Sequence, residues 1–371
     1  MSQSSDEDAP LEETIDSLYA QGVTDGLPVV PPTEARVEEM LRGTDRPRDH
    51  EIGRLGNREG QLTVEKLAVN AVMAGCAPIH MPVLLAGAEA MADPQSNAIQ
   101  IAVSTGSWSY LWIVNGPIRR DIDIRSEAGA FGPGFKSNRT IGRALGLAYR
   151  NTTLIHPGEK NMGVQGNPFK YGLVAGENEE QSPWEPLHVT AGFDREESTI
   201  TLSPRRNFIQ YLPHGMSVDG ILRSMQYNTI PDIVARVGDS FDERVVHSLG
   251  PYNAEEFGRA GMSKRDVKTF LCENSYLEYD TIGPVLEDET RASAPDSSDA
   301  TPLQARQIDD PESVQIVVVG GGGRFNAVGH TMGGPVTQGI ELPEEWDSLL
   351  DQYAVQREWG QEADPFERNR T

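Results

Sequence analysis

One segment limits the folds open to this chain more than any other: Val314-Gln-Ile-Val-Val-Val-Gly-Gly-Gly-Gly-Arg324. It reads as a buried strand running into a glycine loop, the pattern that opens a dinucleotide-binding βαβ unit. Such a unit needs a helix at once and further βα units beyond it. Here Arg324-Phe-Asn-Ala-Val-Gly329 follows and the chain soon ends at Thr371. A Rossmann dinucleotide domain and a nucleotide cofactor are therefore not expected. Residues 287–311, rich in Asp, Ser, Ala and Pro, read as an acidic linker or surface loop. What lies behind them is too short to give a lone apolar strand its own partners, so the strand must return to the main sheet. The amides of Gly320 to Gly323 make either a plain turn or an anion-binding nest, with Arg324 adding charge.

The rest of the chain supplies that sheet and its helices. Apolar periodicity predicts helices near 11–21, 34–41, 64–75, 82–91, 218–226, 263–273 and 344–353, and compact apolar runs predict strands at 109–114, 171–175 and 199–202. Ser137 or Asn138 is the expected cap of a helix reaching Arg150, whose Ile141, Ala144, Leu145 and Ala148 fall on one face, with Arg143 pointing away from it. The expected fold is α/β, with mixed α+β as a variant, in a single large domain around a central sheet. Its parts are a disordered acidic N-terminus (1–12), a main domain (13–286), the acidic stretch (287–311), and a C-terminal strand and helix packed on the main domain (312–371). No internal repeat of fixed period is visible.

Charge narrows the partners. The chain carries 32 Lys plus Arg against 56 Asp plus Glu, a net charge of -24. That field repels a phosphate backbone and an anionic bilayer alike, so neither nucleic acid nor a membrane is expected. The longest apolar runs fall short of the ~20 residues that span a bilayer, and the acidic N-terminus does not resemble a signal peptide. A cytoplasmic protein, with a homo-oligomer as one option, is the reading. Lys occurs only at 66, 136, 160, 170, 264 and 268, and the Arg bias beside so many carboxylates suggests a halophilic host.

Three groups of residues could carry chemistry. Cys76, between two apolar helices, is either a small buried hydrophobe or a reactive thiol, activated by His80 or by the start of the next helix. Cys272 reads as packing. The stretch Glu177-Asn-Glu-Glu-Gln-Ser-Pro-Trp-Glu-Pro-Leu-His188 follows a strand, where α/β proteins place their sites. Glu177, Glu180, Glu185 and His188 could hold manganese, iron or magnesium, or Glu177, Glu185 and His188 could act as acid and base; the bland reading is a hydrated acidic loop. Asn115, Asn138, Arg143, Trp184 and His214 complete the set as candidate substrate-binding residues. No GxSxG elbow and no P-loop are present.

Five segments, namely Asp25-Gly-Leu-Pro-Val-Val-Pro-Pro-Thr33, Asn70-Ala-Val-Met-Ala-Gly-Cys76, Ile113-Val-Asn-Gly-Pro-Ile118, Thr140-Ile-Gly-Arg-Ala-Leu145 and 177–189, resemble a poorly characterised prokaryotic family. Its members look like the large region of proteins bearing a selenocysteine-Gly-Ser-Cys redox motif. This chain has no Gly-Ser-Cys, so the resemblance implies that such an element comes from another polypeptide. Family members often carry an acidic and an aromatic residue where this chain has Ile79-His80, which makes His80 a weak general base. The resulting expectation is an enzyme, or enzyme subunit, of thiol-dependent redox or elimination chemistry on a small molecule, with Cys76 as its thiol. The alternatives are a non-catalytic scaffold subunit of a two-component redox complex and a carboxylate/His metal-dependent enzyme.

Overall fold

The computed structural model describes residues 10–56, 60–213, 215, 217–230, 243–278, 304–306, 308, 310–355 and 357. Most of the acidic N-terminus and of the 287–311 stretch, together with His214, lie outside them. In chain order the first elements are α1 (Leu11–Ala20), α2 (Glu34–Leu41), β1 (Glu51–Leu55), β2 (Gly60–Thr63), α3 (Val64–Ala74), α4 (Met81–Ala92), α5 (Ala98–Val103), β3 (Ser109–Asn115), α6 (Ile118–Asp121), α7 (Lys136–Thr153), β4 (Leu173–Gly176), α8 (Leu187–Thr190), β5 (Thr199–Arg205) and β6 (Ile209–Tyr211). Then come α9 (Val218–Thr229), β7 (Glu243–Leu249), α10 (Pro251–Arg259), α11 (Lys264–Asn274), β8 (Tyr276–Glu278), β9 (Gln304–Arg306), β10 (Val314–Val318), β11 (Asn326–Met332), β12 (Val336–Gly339) and α12 (Trp346–Tyr353).

Helices and strands do make an α/β fold, but eight strands divide between two four-stranded sheets, β12-β5-β3-β4 and β10-β7-β11-β6, while β1-β2 and β8-β9 are separate two-stranded pairs. The expectation of one central sheet is corrected here. The glycine-loop strand β10 returns to β7, in parallel, while β12 from the C-terminal region joins β5 in the other sheet. Each sheet holds one parallel pair, β3 with β4 and β7 with β10, then two antiparallel neighbours. Both pairs are joined through helices, α7 in the first case and α10 with α11 in the second. The outer strands are exchanged. After β5 the chain crosses to the second sheet, where Ile209 of β6 pairs with Val328 of β11; after β11 it crosses back, where Val336 of β12 pairs with Leu202 of β5. The chain therefore repeats one strand pattern twice, a repeat that shows in pairing and not in sequence.

Side-chain alternation along the strands sets the layers. Tyr110, Trp112 and Val114 of β3 enter a core with α3, α4 and α7. Leu111 and Ile113, on the opposite face, meet Val246 of β7 and Val317 and Val319 beside the glycine loop. The other face of the second sheet, with Val245, Ile316 and Val328, packs on α9, α10 and α11. The order is helices, sheet, sheet, helices. Burying each Leu, Ile or Val of these faces contributes roughly 1.5–3 kcal/mol.

The stripe Ile141, Ala144, Leu145 and Ala148 of α7 is buried as its spacing predicts. Gly142 lets the helix lie tight on β4, because a Cβ there would fall 2.8 Å from the Gly172 Cα. The cap differs from expectation: Ser137 and Asn138 lie inside the first turn, after Phe135. Their side chains are spent elsewhere. The Ser137 hydroxyl donates to the Ile122 carbonyl, and Asn138 Nδ2 bridges the carbonyls of Arg125, Ala130 and Val174.

Candidate functional site

Gly75 in the left-handed region (φ 85°) ends α3 and leaves Cys76 at the helix end, as the sequence reading placed it. The five motifs then gather in two places. Around Arg143, Asp25 receives a two-pronged ion pair from the guanidinium (2.7 and 2.8 Å), the Val30 amide donates to the Met73 carbonyl, and Thr140 hydrogen-bonds Cys76. Arg143 thus clamps the Pro-stiffened segment, and also donates to the Pro28 carbonyl, rather than pointing freely outward.

This setting gives the half-buried Cys76 no activation. Burial pushes its thiol up to about 12, and Thr140, Lys136 and Arg143 offset only part of that. His80 does not activate it. Its Nδ1 accepts from the Ala77 amide and its Nε2 meets Ser137 Oγ at 3.1 Å, while burial lowers the imidazole to about 3. Cys272 packs in the second core, as expected, and the two thiols belong to different cores.

The second gathering lies at the C-terminal ends of β3 and β4. Asn115 Nδ2 donates to Glu177 Oε2 (2.7 Å) and to Glu179 Oε1 (2.9 Å), and the Gly116 amide donates to the same Glu179 oxygen. Glu177 Oε2 also accepts from the Leu187 amide, and Lys264 of α11 stands 3.6 Å from Oε1. The predicted metal quartet does not form. Glu180 pairs with Arg119 and Arg120, Glu185 is exposed and pairs with Arg195, and the buried His188 turns Nε2 to the Arg195 carbonyl. Each carboxylate has found a cation or an N–H, and among the described residues no three His, Cys, Asp or Glu side chains sit close enough to share an ion. Trp184 stacks on Phe257 with centroids 5.9 Å apart and donates to the Met262 carbonyl, so it fastens the loop to α10 and α11. Asn138 and the Nδ2 of Asn115 are likewise spent on the protein, while Asn115 Oδ1, Glu177 Oε1 and His188 Nδ1 are buried without a hydrogen-bond partner among the described residues. This network is a buttress that holds loop 177–188 on the strand ends.

The arrangement best suited to a ligand was not singled out from the sequence. A cavity of about 290 Å³ opens between α7, the start of β3 and residues 155–172. Its walls include Trp108, Tyr110, Trp112, Tyr149, Phe169 and Tyr171, and its charged members are Asp25, Arg143, Arg150 and Lys170. Asp25 is consumed by Arg143. Arg150 keeps a buried Nε without a partner, and burial lowers the pKa of Lys170. Tyr110 and Tyr149 are pushed up by burial, so both hydroxyls stay protonated. The signal was available: Trp108, Tyr110 and Trp112 alternate at strand period and so line one face. No family model matches the chain, and no curated protein matches it.

Proposed function

We propose that this chain is the substrate-holding subunit of a small-molecule enzyme, and that its substrate is an apolar or aromatic anion seated in the cavity beside α7. The observation that carries this reading is a surplus of positive charge, three cationic side chains against one carboxylate, on aromatic walls in a protein of net charge -24. A pocket with apolar walls and a few convergent polar groups is the usual form of a small-molecule site. Asp25 and Arg143, from two of the sequence motifs, form part of its rim. With Cys76 held as a protonated thiol and Cys272 in another core, redox or elimination chemistry by thiol would use a separate selenocysteine- or cysteine-motif partner.

Trp108 and Trp112 line the cavity and report on it by fluorescence. Titration with a panel of aromatic carboxylates and their neutral amides is expected to show binding of the acids. Lys170→Met should weaken the acids about tenfold or more while leaving the amides unchanged, in line with a charge-assisted hydrogen bond of ~1.5–3 kcal/mol. Ala102→Phe should block both. Acids that bind the Lys170→Met protein as tightly as the wild type, or no response from any acid, would remove this reading.

A further inference from the structure

The layer between the two sheets holds a cation without a counter-ion among the described residues. Arg205, the last residue of β5, is 1% exposed. Its side chain lies over Gly329 of β11, where a Cβ would fall 2.7 Å from Arg205 Cδ. Nη1 donates to the Gly329 carbonyl at 2.6 Å, and Nη2 is buried with no acceptor. No carboxylate pairs with this guanidinium among the described residues. Burial alone lowers it to about 9, and an uncompensated buried cation costs several kcal/mol.

A second orphan faces the same layer. Gln315 of β10 is 8% exposed, and its Oε1 accepts from Ser203 Oγ at 2.7 Å. In that orientation of the amide, the atom left without a partner is the donor Nε2. The register puts the two side chains in one row. Gln315 and Gly329 both pair with Val246, one on each side, so they share a cross-strand row about two strand spacings, ~10 Å, wide. Ser203 and Arg205, two residues apart on β5, face that row from the other sheet. His247 stands close enough to feel Arg205, but it is neutral: its nitrogens are engaged by Tyr211 and Thr229, and burial, then His330 and Arg205, push it to about 3.

We propose that the space beside Arg205 and Gln315 is a binding site for a small monovalent anion, chloride in the cell, held by Arg205 Nη2 and Gln315 Nε2. Neither residue lines the aromatic cavity, so this layer is separate from the site proposed above. One guanidinium balances one negative charge, whereas a dianion would leave a net charge buried.

The test follows thermal unfolding of the whole protein at fixed ionic strength while chloride replaces gluconate, an anion too large for the layer. The wild-type midpoint is expected to climb with the logarithm of chloride, by about 3 °C once chloride is a hundredfold above its Kd. Gln315→Glu carries its own carboxylate to Arg205 and should lose the chloride dependence; because it shares the wild-type surface, general salt effects cancel between the two. Arg205→Met should lose it as well if it folds. A bromide-soaked crystal should show an anomalous peak between Arg205 and Gln315. Equal chloride responses in wild type and Gln315→Glu, or bromide absent from that layer, would overturn the site and show that water satisfies the two donors.

Discussion

Burial drives a thiol and an ammonium toward the same end, the neutral form, by shifting their pKa values in opposite directions. For Cys76 this disfavours the thiolate; for Lys170 it favours an anionic ligand that restores the charge. With the Cys76 thiol near 12, only about one molecule in ten thousand is a thiolate at pH 8. Native protein mixed with Ellman's reagent at that pH should therefore react at least about a hundredfold more slowly than the urea-unfolded chain. One equivalent consumed in a fast phase would restore the thiol mechanism. The position of Cys76 at a helix end was legible from the glycine before it. Its depth was not, because residues 25–30 and α7, distant in sequence, build the cover. Glu177 and Asn115 were likewise legible as polar groups at strand ends, while their use as a buttress depends on Leu187 and Lys264, which no local pattern links to them.

Among elements, the turn at residues 78–80 shows how a histidine can serve as a fixed neutral group. It joins α4 to α7 through the bond from His80 to Ser137. His80 and His247 are both lowered by burial to about 3, from an unfolded value of 6.5. The folded state thus resists protonation that the unfolded chain accepts. Their stabilisation is complete above pH 6.5 and is lost as pH falls from 6.5 toward 3. At pH 5 each costs up to about 2 kcal/mol. His80→Gln is expected to be less stable than wild type at pH 7.5 yet to lose about 2 kcal/mol less between pH 7.5 and 5, measured by urea unfolding. Identical acid slopes in the two proteins would show that other groups govern the range. Helices such as α2, α3 and α7 were legible because their stripes repeat at helical spacing. Strands β7 and β11 were not, since His247 and His330 interrupt their apolar pattern, and each histidine is tolerated inside only because a partner strand or helix satisfies it.

For the whole molecule, the exchange of edge strands decides how the two halves come apart. The division into two sheets could not be read from sequence, because each apolar run marks a strand without saying which neighbour it takes. Once β6 completes the second sheet and β12 the first, neither half keeps its full sheet when the other unfolds. Loss of one sheet strips the row from Val336 to Leu202 or that from Ile209 to Val328, exposing backbone donors and the apolar layer of Leu111, Val246 and Val317. Unfolding should then be one transition, with tryptophan fluorescence and far-UV circular dichroism coinciding and calorimetric and van't Hoff enthalpies equal. Phe257, fully buried in the second core against Trp184, tests this directly. Phe257→Ala is expected to lose about 3–5 kcal/mol and to shift the entire transition, including the signal from Trp108 and Trp112 in the first core. A separate early transition in that variant, with the first core still intact, would mean that the exchanged strands do not couple the halves.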